Sequence, residues 1–157
     1  MTSDIAVRRA TAADAAQVHA LMQALAGHEG LAAYLAATPD SLAQALSAAP
    51  PRAAFLLAEI GGRAVGFVSW TRAYGIWRGG DYLNLDDLFV ADGARGAGVG
   101  EALMRSFAAE ASAEGLAGRW EVRTDNHGAR RFYARLGADQ EEKVEVRWTA
   151  EAMRAAL

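Results

Sequence analysis

YLNLDDLFVADGARGAGVGE, residues 82–101, decides the reading of this chain. Its first half has the pattern of a buried strand. Leu83 and Leu85 hold one alternating phase, Leu88 and Val90 the opposite one, and the phase flips at Asp86-Asp87. One inserted residue moves every later side chain to the other face, so the flip predicts a β-bulge at the two aspartates. Adjacent carboxylates are costly to bury, which places them at a cleft.

The second half, Arg95-Gly96-Ala97-Gly98-Val99-Gly100-Glu101, is a glycine-rich turn opening a helix on which Val99, Leu103, Phe107 and Ala111 recur every fourth position. Glycines let a backbone approach a ligand and aim successive N–H groups at it. The helix N-terminus adds partial positive charge and Arg95 a full one, which suits a pyrophosphate. A P-loop would end in Gly-Lys-Ser/Thr, and this turn does not. A dinucleotide fingerprint needs G-x-G-x-x-G, and the spacing here is G-x-G-x-G. Taken by itself, the turn reads equally as an anion cradle or as a connection that binds nothing.

A chain of 157 residues fits a single domain, 1–157, with a substantial core. Net charge is −3 and no basic run occurs, which argues against nucleic-acid binding. There is no cysteine, so disulfides, thiolate metal sites and a cysteine nucleophile are excluded. His19, His28 and His127 have no ligand spacing, and no metal site is expected. Neither a signal peptide nor a membrane-length apolar run is visible; the expected compartment is the cytoplasm and no membrane contact is expected.

Outward from residues 82–101, the elements follow in order. Ile5 and Val7 alternate in a first strand. Thr11 and Asp14 form a capping box before a helix with Val18, Leu21, Met22 and Leu25 on one face. Thr38-Pro39 opens a second helix, as N-cap and first-turn proline. Residues 53–60 and 64–71 form a hairpin around Gly61-Gly62. Residues 72–80 are expected as a loop carrying Tyr74 and Trp77. After the glycine turn and its helix come a fifth strand at 119–124, a helix at 126–136 and a last strand marked by Val144, Val146 and Trp148. A short strand near 137–140 and a polar helix from Ala150 are optional additions. Three meandering strands followed by β-α-β-α-β predict an α/β (α+β) domain: a mixed sheet with helices on both faces.

Three motifs in this order resemble the GCN5-related N-acetyltransferases (GNAT), and within them the diamine (spermidine/spermine) acetyltransferase-like branch. They are Leu85-Asp86-Asp87-Leu88-Phe89-Val90, the Arg95–Gly100 turn, and Asn126-His-Gly-Ala-Arg-Arg-Phe132-Tyr133-Ala-Arg-Leu136-Gly137-Ala138. The resemblance covers almost the whole chain. It implies the GNAT fold, with a central sheet splayed where the fourth and fifth strands part, and acetyl-CoA as donor. Leu88, Phe89 and Val90 would pair with the pantetheine arm, residues 95–101 would hold the pyrophosphate, and Asn126 would hydrogen-bond the arm.

The resemblance also implies that Tyr133 protonates the departing CoA thiolate, since a phenol of pKa about 10 is neutral and can donate. From the residue pattern alone Tyr133 reads as core; the Phe-Tyr-x-x-Leu-Gly context reverses that. Asp86 stands where the branch has glutamate and is expected to bind the cationic acceptor first and remove a proton second, through water. A solvent-facing bulge carboxylate is its other reading. His28, Glu29, Trp77 and Asp87 complete the expected acceptor side. The chain departs from the branch there: Asp125 replaces the usual tryptophan before Asn126, and Gly27-His28-Glu29 replaces an aromatic followed by Glu. The expected activity is direct acetyl transfer to a primary amine of a small cationic acceptor, by an expected homodimer. Acetylation of an amino acid or a peptide N-terminus, and a non-catalytic CoA-binding module, are the alternatives.

Overall fold

The computed structural model describes residues 4–157 and divides them into two compact units, one running up to Trp120 and the other spanning Glu121–Leu157. The first unit contains β1 (Ile5–Arg9), α1 (Ala15–His28), α2 (Pro39–Ser47), β2 (Ala54–Ile60), β3 (Arg63–Gly75), β4 (Gly80–Val90), α3 (Val99–Ala113) and β5 (Gly118–Arg119). The strands lie in the order β1-β2-β3-β4-β5. The first three pairings are antiparallel and β4–β5 is parallel, so the sheet is mixed.

The local signals act as expected. The Thr11 N–H donates to Asp14 Oδ2 at 2.8 Å ahead of α1. At α2, Thr38 and Ser41 exchange backbone-to-hydroxyl bonds of 2.9 and 3.1 Å. α1 runs through Gly27 to His28, and the turn after it uses Gly30 at φ +70°.

Helices cover both faces of the sheet. Phe55, Leu57, Phe67 and Phe89 point one way and pack with Val18 of α1 and Leu42 of α2. On the other face Trp70 meets Phe107 of α3 edge-on at 5.4 Å, and Phe107 meets Trp120 at 6.4 Å. Gly66 is required where β3 crosses under Val99. A Cβ there would stand 2.6 Å from the Phe89 carbonyl oxygen and 3.4 Å from the Val99 side chain.

Ser69 pairs with Asp87 and Trp70 with Leu85, so Asp86 is the extra residue of a bulge. The bulge keeps Leu83, Leu85, Leu88 and Val90 on the α3 face and turns Asp87 and Phe89 to the α1 face. The expected loop at 72–80 is mostly strand: β3 continues to Gly75 and β4 starts at Gly80, because Arg72–Tyr74 pair with residues 81–83. The fifth strand is shorter than expected. Its ladder with β4 consists of Leu83–Gly118 and Asn84–Arg119 and stops before Asp86, where the bulge bends β4 away.

The second unit contains α4 (His127–Arg135) and α5 (Ala150–Ala155). Asn126 caps α4, its Oδ1 accepting from the Ala129 N–H at 3.1 Å. Thr149 caps α5 in the same way at 3.2 Å. The expected strands at 137–140 and 144–148 are not formed. Among the described residues no backbone–backbone hydrogen bond involves residues 139–148, and Val144 and Val146 are 89% and 85% exposed. Alternation gives this stretch an apolar face, but a strand also needs a neighbouring ladder.

Candidate active site

The bulge builds the acidic part of the site. The Asp87 N–H donates to the buried Ser69 hydroxyl at 3.3 Å, which fixes the backbone where the ladder is interrupted. Asn84 Nδ2 donates to Asp86 Oδ1 at 3.1 Å. Asp86 is exposed on the bulge, yet partial desolvation by its surroundings pushes its carboxyl above the ordinary value, and the Asn84 bond partly offsets this. Asp87 is pushed up by burial first, then by the negative charges of Asp86 and of Glu29 at the end of α1. Asp87 therefore feels the charges of two other carboxylates, and no cation is among the causes of shift for Asp86 or Asp87. An ammonium arriving there would relieve both the repulsion and the desolvation.

The glycine turn builds the second part. Gly96 and Gly98 sit at φ +78° and +85°, in the left-handed region that glycine tolerates. An ideal Cβ at either meets nothing within 4 Å, so the space in front of the turn is open. α3 starts at Val99 with no side-chain cap, and the first-turn N–H groups of Val99, Gly100 and Glu101 have no intrahelical partner. Ala97 spans the two glycines. Arg95 Nε donates to the Val90 carbonyl at 3.2 Å, and its Nη2 lies 3.2 Å from Asp92 and 3.4 Å from His28 Nε2. The Glu101 carboxylate turns to Arg105 at 2.7 Å, away from the N–H groups. Open glycines, uncapped amides and a tethered guanidinium fit a pyrophosphate.

Between these parts runs the edge of β4. β5 pairs with Leu83 and Asn84, so among the described residues of the first unit the backbone of Leu88, Phe89 and Val90 has no strand partner on that side. An amide-bearing arm can pair there as an added strand.

The other expected residues fall as follows. Tyr133 is buried in α4, its ring 5.3 Å from that of Phe132. Asn126 spends Oδ1 on its cap and retains Nδ2 as a donor for a ligand. His28 meets Arg95 at the anion turn. Trp77 is fully exposed at the tip of the β3–β4 hairpin, ~20 Å along β4 from Asp86 at strand rise. The structure does not bring it to the acidic group, and the expectation that it binds the acceptor there is corrected. His19 is part-buried and bonds the Ala37 carbonyl at 2.9 Å. Sequence reasoning missed Ser69, Asn84 and Asp92. Ser69 had a signal, as the one polar residue in the apolar run Val65–Trp70. Among the described residues no group of three or more metal-ligating side chains is placed to hold an ion, and no helix is long and apolar enough to cross a membrane.

Comparison with known proteins bears on this geometry. Residues 18–138 match the model of the "Acetyltransferase (GNAT) family". An aminoglycoside acetyltransferase from an uncultured soil metagenomic sample, solved with trehalose, superposes with a TM-score of 0.81 at 14% identity, covering 92% of this chain and 95% of that one. The aminoglycoside N-acetyltransferase AAC(6')-Iy in complex with CoA gives 0.75 at 17% identity over 96% and 97% of the two chains. Ribosomal-protein-alanine N-acetyltransferase from Brucella melitensis biovar Abortus 2308 gives 0.71 at 18% identity over 93% and 100%. No curated protein matches the chain by sequence.

Proposed function

The chain belongs to the acetyltransferase (GNAT) family, an N-acetyltransferase with acetyl-CoA as donor, and from that premise we propose that its acceptor is a primary amine of a small cationic molecule. The observation that carries this reading is the group Asp86, Asp87 and Glu29, which raises Asp87 and contains no cation. A site built that way favours an ammonium over a neutral or anionic acceptor, through charge-assisted hydrogen bonds worth roughly 1.5–3 kcal/mol each. Diamines, polyamines and lysine-like amines have this chemistry, in keeping with the motifs shared with the diamine branch. The aminoglycoside acetyltransferases of the same fold are named for amine-bearing acceptors as well. The family match crosses Trp120, which supports reading 1–157 as one catalytic domain.

Acetyl-CoA supplies the activated acetyl group when bound. The residues 95–101 anchor its pyrophosphate, and the free edge of Leu88–Val90 aligns its arm beside the acidic group. Asp86 and Asp87 hold the acceptor ammonium; Asp86 then takes a proton through water as the amine becomes nucleophilic. A backbone N–H past the bulge polarises the thioester carbonyl. Tyr133 donates its phenolic proton to the departing sulfur, with Asn126 orienting the arm. His28 holds Arg95 at the turn. The protein works as a homodimer in the cytoplasm.

Thiol release from acetyl-CoA, measured across putrescine, spermidine, lysine, an alanyl peptide and an anionic amine, tests the proposal. Cationic amines should turn over fastest. Tyr133→Phe should keep acetyl-CoA binding and lower kcat by about 10²–10⁴-fold. Preference for the anionic amine would overturn the acidic reading, and a kcat within about twofold of wild type would return Tyr133 to the core.

A further inference from the structure

The run that follows Glu29, Gly30-Leu-Ala-Ala-Tyr34-Leu-Ala-Ala37, contains no charged side chain. Only Leu35 and Ala37 in it are half-buried; the rest is exposed, Leu31 to 45% and Tyr34 to 81%. The run is tied at both ends. Gly30, at φ +70°, and Leu31 return their N–H groups to the Gly27 and Ala26 carbonyls at 3.3 and 2.8 Å, a Schellman closure of α1. A 3-10 turn, Ala32–Tyr34, follows, in which the Tyr34 N–H donates to the Leu31 carbonyl at 2.9 Å. At the far end the His19 ring donates to the Ala37 carbonyl at 2.9 Å, and Thr38 caps α2. A backbone tied this way holds Leu31 and Tyr34 out in solvent instead of letting them fold back onto the core.

The place of the run gives these two side chains a use. Glu29 is the C-cap of α1, and its charge acts on Asp87. Leu31 follows within ~7 Å of chain, and Tyr34 lies ~6 Å beyond it at 3-10 rise. We propose that Leu31 and Tyr34 are specificity-determining residues, an apolar wall beside the carboxylates that takes an alkyl or aryl body of the acceptor. The proposal rests on the acceptor reading above and narrows it to a monoamine, with its ammonium at Asp86, Asp87 and Glu29 and its hydrocarbon along the wall. A diamine lying the same way would set its far ammonium over Leu31 and Tyr34, in a run that offers it no carboxylate. Hydrocarbon gains by covering these side chains, whereas an ammonium there loses water and finds no opposite charge. Tyr34 suits the role, since a phenol ring offers a large apolar face while its hydroxyl stays in water.

Thiol release from acetyl-CoA by the full chain, with ethylamine, butylamine, hexylamine and 1,6-diaminohexane as acceptors, tests the proposal. An open wall covers one side of the chain, so kcat/KM should rise by about twofold per methylene, less than full burial would give. Hexylamine should therefore exceed ethylamine by about tenfold or more, and should exceed 1,6-diaminohexane. In the double variant Leu31→Ser with Tyr34→Ser the hexylamine-to-ethylamine ratio should fall to within about twofold of one, while Tyr34→Phe should keep it. A ratio within one variant cancels any general loss of active protein, and the wild-type comparison of hexylamine with its diamine needs no variant. A diamine preferred over the monoamine, or a length dependence that survives the double variant, overturns the wall and leaves the acidic reading standing. An anionic amine preferred over all of these overturns the acidic reading and the wall with it.

Discussion

β4 and residues 143–149 carry the same pattern and meet opposite fates. Each alternates apolar and polar side chains, and each has charged residues in its middle. In β4 the pattern is completed by β3, which pairs with it from Gly80 to Val90 and buries Leu83, Leu85 and Phe89. Within the second unit, among the described residues, no strand lies beside 143–149, and nothing there completes the pattern. A segment's own residues fix which face is apolar; the ladder and the covering layer have to come from elsewhere. The difference reaches function, because Asp87 of β4 is part-buried beside two other carboxylates while the charges of 143–149 are exposed.

The largest contrast is in packing. Phe89→Ala should destabilise the fold by about 3–5 kcal/mol, since it opens a cavity beside Phe67, whose ring centroid is 6.1 Å away. Val144→Ala, in dilute solution, should change stability by less than about 0.5 kcal/mol. Chemical denaturation of the two variants reads both numbers, and a Val144 effect as large as that of Phe89 would mean the stretch is already covered in the single chain.

The next contrast is at the end of β4, where a turn presents open backbone to an anion. Acetyl-CoA at about 100 times its Kd should stabilise the folded chain by about 2.7 kcal/mol. Gly98→Asp should abolish the matching rise in Tm, by putting a side chain at φ +85° and a negative charge beside the uncapped amides. An undiminished rise would remove the turn from the site.

Third come the bulge carboxylates. Asp86→Asn should raise the amine KM by about 10–100-fold, one charge-assisted bond, and leave the acetyl-CoA KM nearly unchanged. It should also move the acidic limb of activity. Asp87 is raised partly by the Asp86 charge, so removing that charge lets Asp87 ionise at lower pH and carries the limb downward. Stability runs the other way. A carboxyl whose folded pKa lies above its unfolded one costs stability once pH has risen through the folded value. Asp87→Asn should therefore raise Tm at pH 7 while weakening acceptor binding.

How much of this could be read beforehand depends on where the deciding information sits. The bulge was legible because it leaves a phase flip in one short run, and the Thr38 cap and the left-handed glycines because each is a local signal. The hairpin extension through Tyr74 was not, since Arg72 and Ala73 gain their strand character only from Leu83 and Tyr82 opposite them. The shortened β5 is set by a bend in another strand. Ser69 left a faint signal as a polar residue in an apolar run, whereas Asn84 became visible as a site residue only when the bulge placed it against Asp86. His28 reaches Arg95 across 67 positions of sequence, a distance no local pattern spans.

The smallest effect contrasts two ion pairs. Asp14 is 13% exposed, takes two bonds from Arg8 at 3.0 and 2.8 Å and one from the Thr11 N–H, and its carboxyl is held down at about 2. Arg8 also reaches Glu59, which ties the start of α1 to β1 and β2. The Glu145–Arg147 pair has similar distances but is exposed on both sides. A carboxylate with a depressed folded pKa contributes stability that is complete above its ordinary value near 3.8 and is lost as pH falls toward 2. The full shift overstates this contribution, because Arg8 is 42% exposed and solvent screens the pair. Asp14→Asn should then cost about 1 kcal/mol at pH 7, and the difference from wild type should shrink between pH 4 and pH 2. Glu145→Gln should leave the Tm of the dilute protein unchanged across the same range. If both variants lose stability alike and with the same pH profile, burial is not what separates the two regions, and the C-terminal stretch is anchored in the single chain after all.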